Sequence, residues 1–180
     1  MFMGSVTVKN FTNNYENNPA IKNLLRYVVS KKDTDECVDY WGTKGLLKDI
    51  NHAYKVITRM QRYLKCDNGK RMIHFVISFP KDIRSEEMVF IIADAIASYL
   101  SSEYQLVYGI HVDTDNYHIH FAMNSVSYIT GKKWHKENHE FARWFQNLRD
   151  IVQKILDEAG DKEKIIILKI NGYDEVVGFI

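Results

Sequence analysis

Three histidines fall close together in the chain, at His111, His118 and His120. Side chains alternate between the two faces of a β-strand, so His118 and His120 project from one face and the apolar residues beside them from the other. If 113–116 closes a hairpin, His111 of the preceding strand comes beside this pair. Three neutral imidazoles suit a divalent transition metal and leave positions open for substrate oxygens. The spacing therefore predicts a metal site, against the alternative of exposed or hydrogen-bonded structural histidines.

These histidines need a sheet to position them, and apolar periodicity predicts its strands and the helices around it. Strands are predicted at 4–9, 72–79, 105–111, 117–126 and 164–170, with 174–180 as another candidate. Helices are predicted from Asn18-Pro19 onward and at 46–64, 85–100 and 141–156, and the stretch 30–45 is predicted to be a long loop. Short turns between adjacent strands favour an α+β fold, an antiparallel β-sheet with helices packed on one face.

Composition favours a single packed domain over 1–180. Of the 180 residues, 46% are hydrophobic and 26% are charged, which suits an ordinary globular core. The formal net charge is only +1, so a nucleic-acid site would have to depend on clustered cations.

The cysteines and the N-terminus indicate the cellular compartment in which the protein is expected. Cys37 and Cys66 make no disulfide framework, and no signal peptide is visible behind Met1. The apolar runs are far shorter than the ~20 residues that span a bilayer. The expectation is a reduced, cytoplasmic protein without a membrane segment.

The motif across the predicted hairpin resembles the third motif of MobA/MobL-type relaxases of plasmids and transposons. Its residues are His111, Asp113, His118, Ile119, His120, Asn124 and Ser125. The pair His118 and His120, separated by a hydrophobic residue, is similar to the signature of the HUH endonuclease superfamily. The resemblance implies the palm-like fold of HUH relaxases and, in bacteria, a role in conjugative mobilisation.

Two earlier segments extend the resemblance to about 4–156, leaving 157–180 as a C-terminal extension. The run 24–28, Leu-Leu-Arg-Tyr-Val, resembles the first relaxase motif, and this likeness makes Tyr27 the inferred nucleophile. Tyr15, Tyr40 and Tyr54 are the alternatives. The strand 74–80 resembles the second motif region. Some relatives place an acidic residue where this chain has His74, so Asp113 and His74 are both candidates for the proton acceptor of the tyrosine. Asp113 could instead orient a metal-bound histidine.

The resemblance implies a definite reaction. A tyrosine oxygen attacks a phosphodiester of single-stranded DNA at an origin of transfer, forming a 5′-phosphotyrosyl bond and a free 3′-hydroxyl. Covalent catalysis preserves the bond energy for rejoining. Mg²⁺ or Mn²⁺ on His111, His118 and His120 is implied, although three histidines would also hold zinc or nickel. Accessory relaxosome proteins are the further partners implied.

Contacts to DNA are predicted from loop cations and polar strand residues. Lys31 lies in a predicted loop, and a turn combines Lys132 and Lys133 with Trp134, which suits phosphate contact and base stacking. Ser78 and Asn124 project from polar strand faces. Each is a candidate for contacting phosphate and equally a candidate for structural hydrogen bonding.

Three other functions compete with a relaxase. An HUH replication initiator or single-tyrosine transposase would share the metal and nucleophile, but its tyrosine commonly follows the histidine pair. A metal-dependent phosphoesterase would hydrolyse without a covalent tyrosine. A non-catalytic, relaxase-like domain would bind DNA alone.

Overall fold

The computed structural model describes residues 7–10, 15–32, 34, 36–79, 83, 85–112, 116–135, 138–158 and 169–170. Six strands are present within this part of the chain: β1 Thr7–Asn10, β2 Trp41–Lys44, β3 Met72–Ser78, β4 Leu106–His111, β5 His118–Asn124 and β6 Lys169–Ile170. Its four helices are α1 Asn18–Val29, α2 Ile50–Tyr63, α3 Glu86–Leu100 and α4 Asn138–Glu158. The predicted strand at 174–180 lies outside the described residues.

The strands form one sheet in the order β2-β4-β5-β3-β1-β6. All neighbours are antiparallel except β1 and β6, which pair in parallel over two residues each. β5 is therefore central, with β4 on one side and β3 on the other. A central strand is held by hydrogen bonds along both edges, which is a rigid place from which to present side chains.

Helices cover both faces of this sheet. On one face, α3 and α4 pack on the apolar side chains of the three central strands, including the stacked rings of Phe75 and Phe121, whose centroids are 4.6 Å apart. On the other face, α1 and α2 pack over a smaller cluster that includes Met72, Val107 and Ala122.

The predicted α+β class, an antiparallel sheet with helices packed on a face, is confirmed, and the structure adds a second helical layer on the opposite face. The cause is the composition of the histidine face. It is polar where β5 begins, whereas Met72, Val107 and Ala122 give its second half an apolar surface around the buried Asn124, so that this half also needs a covering layer. The predicted loop at 30–45 also contains β2, which pairs with β4 at the sheet edge.

No helix in the described part of the chain is long and apolar enough to span a lipid bilayer.

Candidate active site

The strand register brings the histidines together as the hairpin pattern predicts. His111 pairs with His118 between β4 and β5, and His120 lies two residues further along the same face. On the other side of β5, Val76 is the partner of His120 and Ser78 is the partner of His118. His74 lies two residues before Val76 on the same face of β3, and its imidazole is hydrogen-bonded to that of His120.

Tyr27 lies over this group of histidines. Its ring centroid is 5.2 Å from that of His120, 5.7 Å from that of His111 and 5.9 Å from that of His74. Tyr27 is near the C-terminal end of α1 and is 52% exposed, whereas its neighbour Val28 is fully buried. The helix thus buries one side in the core and leaves the tyrosine between the histidines and solvent.

Gly109 allows α1 to approach the sheet this closely. It is the strand partner of His120, and a Cβ atom at this position would overlap the carbonyl oxygen of Val28. That same carbonyl accepts a hydrogen bond from Nε2 of His111 at 3.0 Å. The end of the tyrosine-bearing helix is therefore attached directly to a histidine of the site.

We expect Gly109→Ala to push the end of α1, at Val28, away from β4 and from His111. The clash is with backbone, so rotation of a side chain cannot relieve it, and the end of α1 must shift at a cost of about 1–3 kcal/mol. Thermal unfolding should show the destabilisation, and covalent DNA attachment per folded molecule should fall at least about tenfold, since misplacement by an ångström has large kinetic effects.

Gly42→Ala is the matched control for Gly109→Ala. Gly42 lies on β2, and a Cβ atom there would overlap the side chain of Tyr108 rather than α1. It should also destabilise the protein but leave attachment per folded molecule near the wild-type value. Equal losses of attachment in both variants would contradict the specific role of Gly109.

A chain of hydrogen bonds runs from Tyr15 into the histidines. The Tyr15 hydroxyl and Nδ1 of His74 share a hydrogen bond at 2.9 Å, and Nε2 of His74 and Nδ1 of His120 share another at 3.2 Å. His74 and His120 are buried, 3% and 7% exposed. Hydrogen bonds on the ring nitrogens fix the orientation of each imidazole and select its tautomer.

Burial keeps these imidazoles neutral. Desolvation, followed by the repulsion of His111, His74 and His118, lowers the pKa of His120 to about 2. Desolvation, followed by repulsion from His111, lowers the pKa of His74 to about 4. Neutral imidazole is the form that binds a metal.

The residues fit a divalent metal by donor chemistry. His111 donates from Nε2, which leaves the lone pair on its Nδ1, and the rings of His111 and His120 are 4.3 Å apart. His118 is more distant, with its ring 6.5 Å from that of His120. Among the described residues, no three His, Cys, Asp or Glu side chains are already arranged around one ion. Asp113 lies outside the described residues.

Of the three alternative tyrosines, Tyr15 alone contacts the histidines in the described chain. Tyr40 packs on Phe90, with ring centroids 5.4 Å apart, in the cluster on the opposite side of the sheet. Tyr54 packs against the cluster under α1 and α2. Tyr15 carries no periodicity or motif that would have distinguished it in the sequence, because its contact depends on a strand almost sixty positions later.

Two of the predicted DNA contacts lie at the histidine end of the sheet. Ser78 is 9% exposed and pairs with His118 across β3 and β5. Lys31 follows α1 and is exposed, with Asp39 at 3.4 Å and Glu36 at 4.0 Å as partners. It borders a cavity of about 270 Å³ that is also lined by His111.

The other four candidates lie at the far end of β5. The backbone of Lys133 forms an isolated antiparallel β-bridge with Val126, and its side chain donates to the oxygens of Asn68. Trp134 packs on Trp144 with ring centroids 6.0 Å apart. Lys132 is exposed in the same turn. At about 3.3 Å per residue, β5 separates this turn from His118 by about 20 Å. The structure therefore does not bring Lys132, Lys133 and Trp134 to the histidines.

Asn124 is fully buried at this far end. Its Oδ1 accepts from Gln61 at 2.8 Å and from the backbone N–H of Val126 at 3.1 Å, and its amide donates to Gln105 at 3.2 Å. Gln61 also donates to the carbonyl of Arg71 at 2.7 Å. These contacts favour the structural alternative for Asn124 over a phosphate contact.

Asn124→Ala should therefore affect stability rather than DNA chemistry. It leaves the Val126 N–H and a Gln105 oxygen without partners, so we expect a loss of about 1–3 kcal/mol in the free energy of unfolding, measured by urea titration. Covalent DNA attachment per folded molecule should be unchanged. Intact stability with impaired DNA attachment would restore Asn124 as a substrate contact.

Comparison with known proteins defines the class. Residues 27–160 match the family described as relaxase, MobA/VirD2-like, nuclease domain. This range holds Tyr27 and all four histidines of the site and spans most of the chain. The chain therefore belongs to this family of relaxases, which confirms the resemblance carried by the histidine motif.

Individual relatives come from Staphylococcus aureus. The chain is 28% identical over 124 residues to Protein rlx of that organism, a match covering 68% of this chain and 36% of the relative. The chain thus spans about a third of the length of that relative. A solved structure from work on the molecular basis of vancomycin resistance transfer in S. aureus is similar with a TM-score of 0.61. That likeness covers 96% of this chain and 100% of the other at 12% identity, and supports the fold.

Proposed function

We propose that this chain is a DNA-nicking relaxase domain that uses Tyr27 to cut one strand at an origin of transfer. The observation that supports this most is the position of Tyr27, which is exposed and has its ring within 5.9 Å of three histidine rings. A tyrosine that only packed the core would not stand between solvent and a group of three histidine side chains.

In the proposed reaction, the Tyr27 oxygen attacks the scissile phosphorus in line. The new bond is a 5′-phosphotyrosyl ester, the bond from phosphorus to the 3′-oxygen breaks, and that oxygen leaves with the bonding electrons and takes up a proton from solvent to become the 3′-hydroxyl. Attack by a 3′-hydroxyl reverses the step, so strand rejoining needs no other energy source. The phenol proton passes to a nearby base, for which His74 and Asp113 remain the two candidates.

His111, His118 and His120 would hold the divalent ion, with Mg²⁺ or Mn²⁺ as the expected metal. When bound, such an ion supplies Lewis-acid stabilisation of charge on the phosphate oxygens and an electrostatic aid to phenolate formation. The chain's own part is orientation. The Val28 carbonyl holds His111 by Nε2, and His74 holds His120 by Nδ1.

His74 fits a positioning role for His120. If Nδ1–H of His120 donates to Nε2 of His74, then Nε2 of His120 keeps its lone pair, and Nδ1–H of His74 donates to the Tyr15 oxygen. This tautomer pattern satisfies both hydrogen bonds and presents one nitrogen of His120 to a metal. It also weakens the case for His74 as the proton acceptor, which leaves Asp113 to be tested first.

Mobilisation of a plasmid or transposon is the biological process we propose, with single-stranded origin DNA and accessory relaxosome proteins as partners. Lys31 and Ser78 are the proposed phosphate contacts at the histidine end. A replication initiator or transposase of related chemistry receives less support, because the tyrosine at the histidines lies on α1, before the histidine pair in the chain.

The test is covalent capture. The protein is incubated with single-stranded oligonucleotides tiled across the origin of transfer of its replicon, with Mn²⁺ or with EDTA, and run on a denaturing gel. A protein–DNA band that needs Mn²⁺, with the 5′ end of the cleaved product on the protein, is the expected result. Cleavage without a band would indicate hydrolysis, and binding without cleavage would indicate a non-catalytic domain.

A further inference from the structure

The charges of the four helices are divided between the two faces of the sheet. The two helices on the histidine face, α1 and α2, contain five cations and no acidic residue: Lys22, Arg26, Lys55, Arg59 and Arg62. The two helices on the opposite face, α3 and α4, contain seven acidic residues and three cations. A net charge of +1 therefore conceals a cationic helical layer on the side that carries Tyr27.

Three of these cations form a line on α2 together with an aromatic ring. At about 100° per residue, Lys55, Arg59, Arg62 and Tyr63 fall within an arc of about 100° on the helix. The three cations are exposed, and in the described part of the chain none of them takes part in an ion pair. We call these four residues the α2 stripe.

Tyr63 distinguishes the α2 stripe from an ordinary solvated helix face. Its side chain is 85% exposed, more than any other exposed large hydrophobic residue in the described chain. The core gains little from a ring in that position. Exposed aromatic rings beside cations are the usual platform for unpaired bases, because the ring stacks on the base while the cations contact the backbone phosphates.

The position of the α2 stripe is suited to DNA that leaves the histidines. α1 and α2 pack together over the same face of the sheet, and Gln61, next to Arg62, bonds to Asn124 at the far end of β5. Seven residues of β5 place this point about 20 Å from the histidine end. A strand held at Tyr27 would reach α2 after several nucleotides, and Arg26 lies beside Tyr27 at the start of that route.

We propose that the α2 stripe binds the single strand on one side of the scissile phosphate, with Lys55, Arg59 and Arg62 on phosphates and Tyr63 stacked on a base. This proposal rests on the proposed function for its substrate and assigns a DNA contact to α2, whose C-terminal end at Leu64 lies beside Gly131 of the turn that precedes Lys132 and Lys133. It also explains how a chain of nearly neutral overall charge binds a polyanion.

The test is the salt dependence of binding to fluorescein-labelled (dT)30, measured by anisotropy without metal, so that cleavage does not intervene. Neutralising Lys55 and Arg59 to Gln should lower the slope of log affinity against log salt by about 1.4, about 0.7 for each phosphate that the variant no longer neutralises. The matched control is Arg143→Gln/Lys154→Gln on α4, which removes the same residue types from the opposite face. The control should keep the wild-type slope.

Tyr63→Ala tests the stacking contact. It should weaken (dT)30 binding about tenfold and leave the salt slope unchanged, whereas binding of a 30-base-pair duplex should be unaffected. Equal slopes for the α2 and α4 double variants would overturn the α2 stripe as a DNA site. An equal effect of Tyr63→Ala on duplex and single strand would overturn the commitment to unpaired bases.

The proposal for the α2 stripe and the proposal for catalysis can be contradicted independently of each other. The anisotropy experiment needs no chemistry, so a chain that binds (dT)30 through α2 but gives no covalent band would retain the binding proposal and lose the nicking one. A covalent band with α2 variants indistinguishable from wild type in binding would do the reverse.

Discussion

Replacing Tyr27 by Phe should abolish the covalent protein–DNA band while leaving the fold intact. The variant removes one oxygen from a side chain that is 52% exposed, and the ring keeps its contacts with the three histidines. Because this oxygen is the proposed nucleophile, its loss removes the reaction path rather than weakening it, and we expect attachment to fall by at least about a thousandfold. Densitometry of the denaturing gel measures the loss, and thermal unfolding checks the fold.

Tyr15→Phe and Tyr40→Phe provide the comparison. Tyr15 touches His74 and should reduce attachment only about ten- to a hundredfold, as expected for a group that orients a metal ligand. Tyr40 packs in the opposite cluster and should leave attachment unchanged. A band that survives Tyr27→Phe but disappears with Tyr15→Phe would move the nucleophile to Tyr15.

The second large effect concerns His120, which lies at the centre of the site. His120→Ala should remove both metal binding and covalent attachment, because His120 contacts the rings of Tyr27, His111 and His118 and bonds to His74. We expect the affinity for Mn²⁺, measured by calorimetry on DNA-free protein, to fall more than about a hundredfold, beyond the usual effect of an orienting partner. Attachment should fall at least as far.

His135→Ala is the matched control for this prediction. His135 is exposed and follows the turn at the far end of β5. Its removal should change neither Mn²⁺ affinity nor attachment. Unchanged Mn²⁺ affinity in His120→Ala would show that the histidines do not hold the metal, even if attachment were lost.

The hairpin of the site was predictable because it depends on local rules. The period of two along a strand and a short connection were enough to place His111, His118 and His120 on one face, and the register of β4 and β5 agrees with this. The apolar stripes of α3 and α4 likewise needed only helical spacing. Such patterns involve residues within a few positions of each other.

The remaining features depend on contacts between distant segments. Nothing in the sequence near Gly109 shows that Val28, over eighty positions earlier, lies against it. Asn124 has the same strand parity as His118 and His120, yet Gln61 of α2 buries it. The alternation of side chains along a strand predicts the face of the sheet on which a residue lies, but not which part of that face a helix covers. This is also why the second helical layer was missed.

The cationic layer was open to prediction but hidden by the net charge. Lys55, Arg59 and Arg62 stand at helical intervals in a segment without acidic residues, which is visible in the sequence. The turn at 132–134 offered a more compact group of cations and an aromatic ring, and it lies at the same far end of β5 as the C-terminal end of α2. A group of charges in the sequence therefore indicates a binding surface only when the face of the sheet on which those charges lie is known.

The exposure of Tyr27 has a consequence for the topology of the substrate. A reactive group that meets solvent from the side, at the end of a surface helix, can be reached by any interior phosphate of a long strand. In the described part of the chain, this exposure leaves the ring open from the side, so that a terminus need not be threaded through a tunnel. Under the proposed function, a covalently closed single-stranded circle should enter as readily as a linear oligonucleotide, and cutting would then depend on sequence and not on proximity to an end.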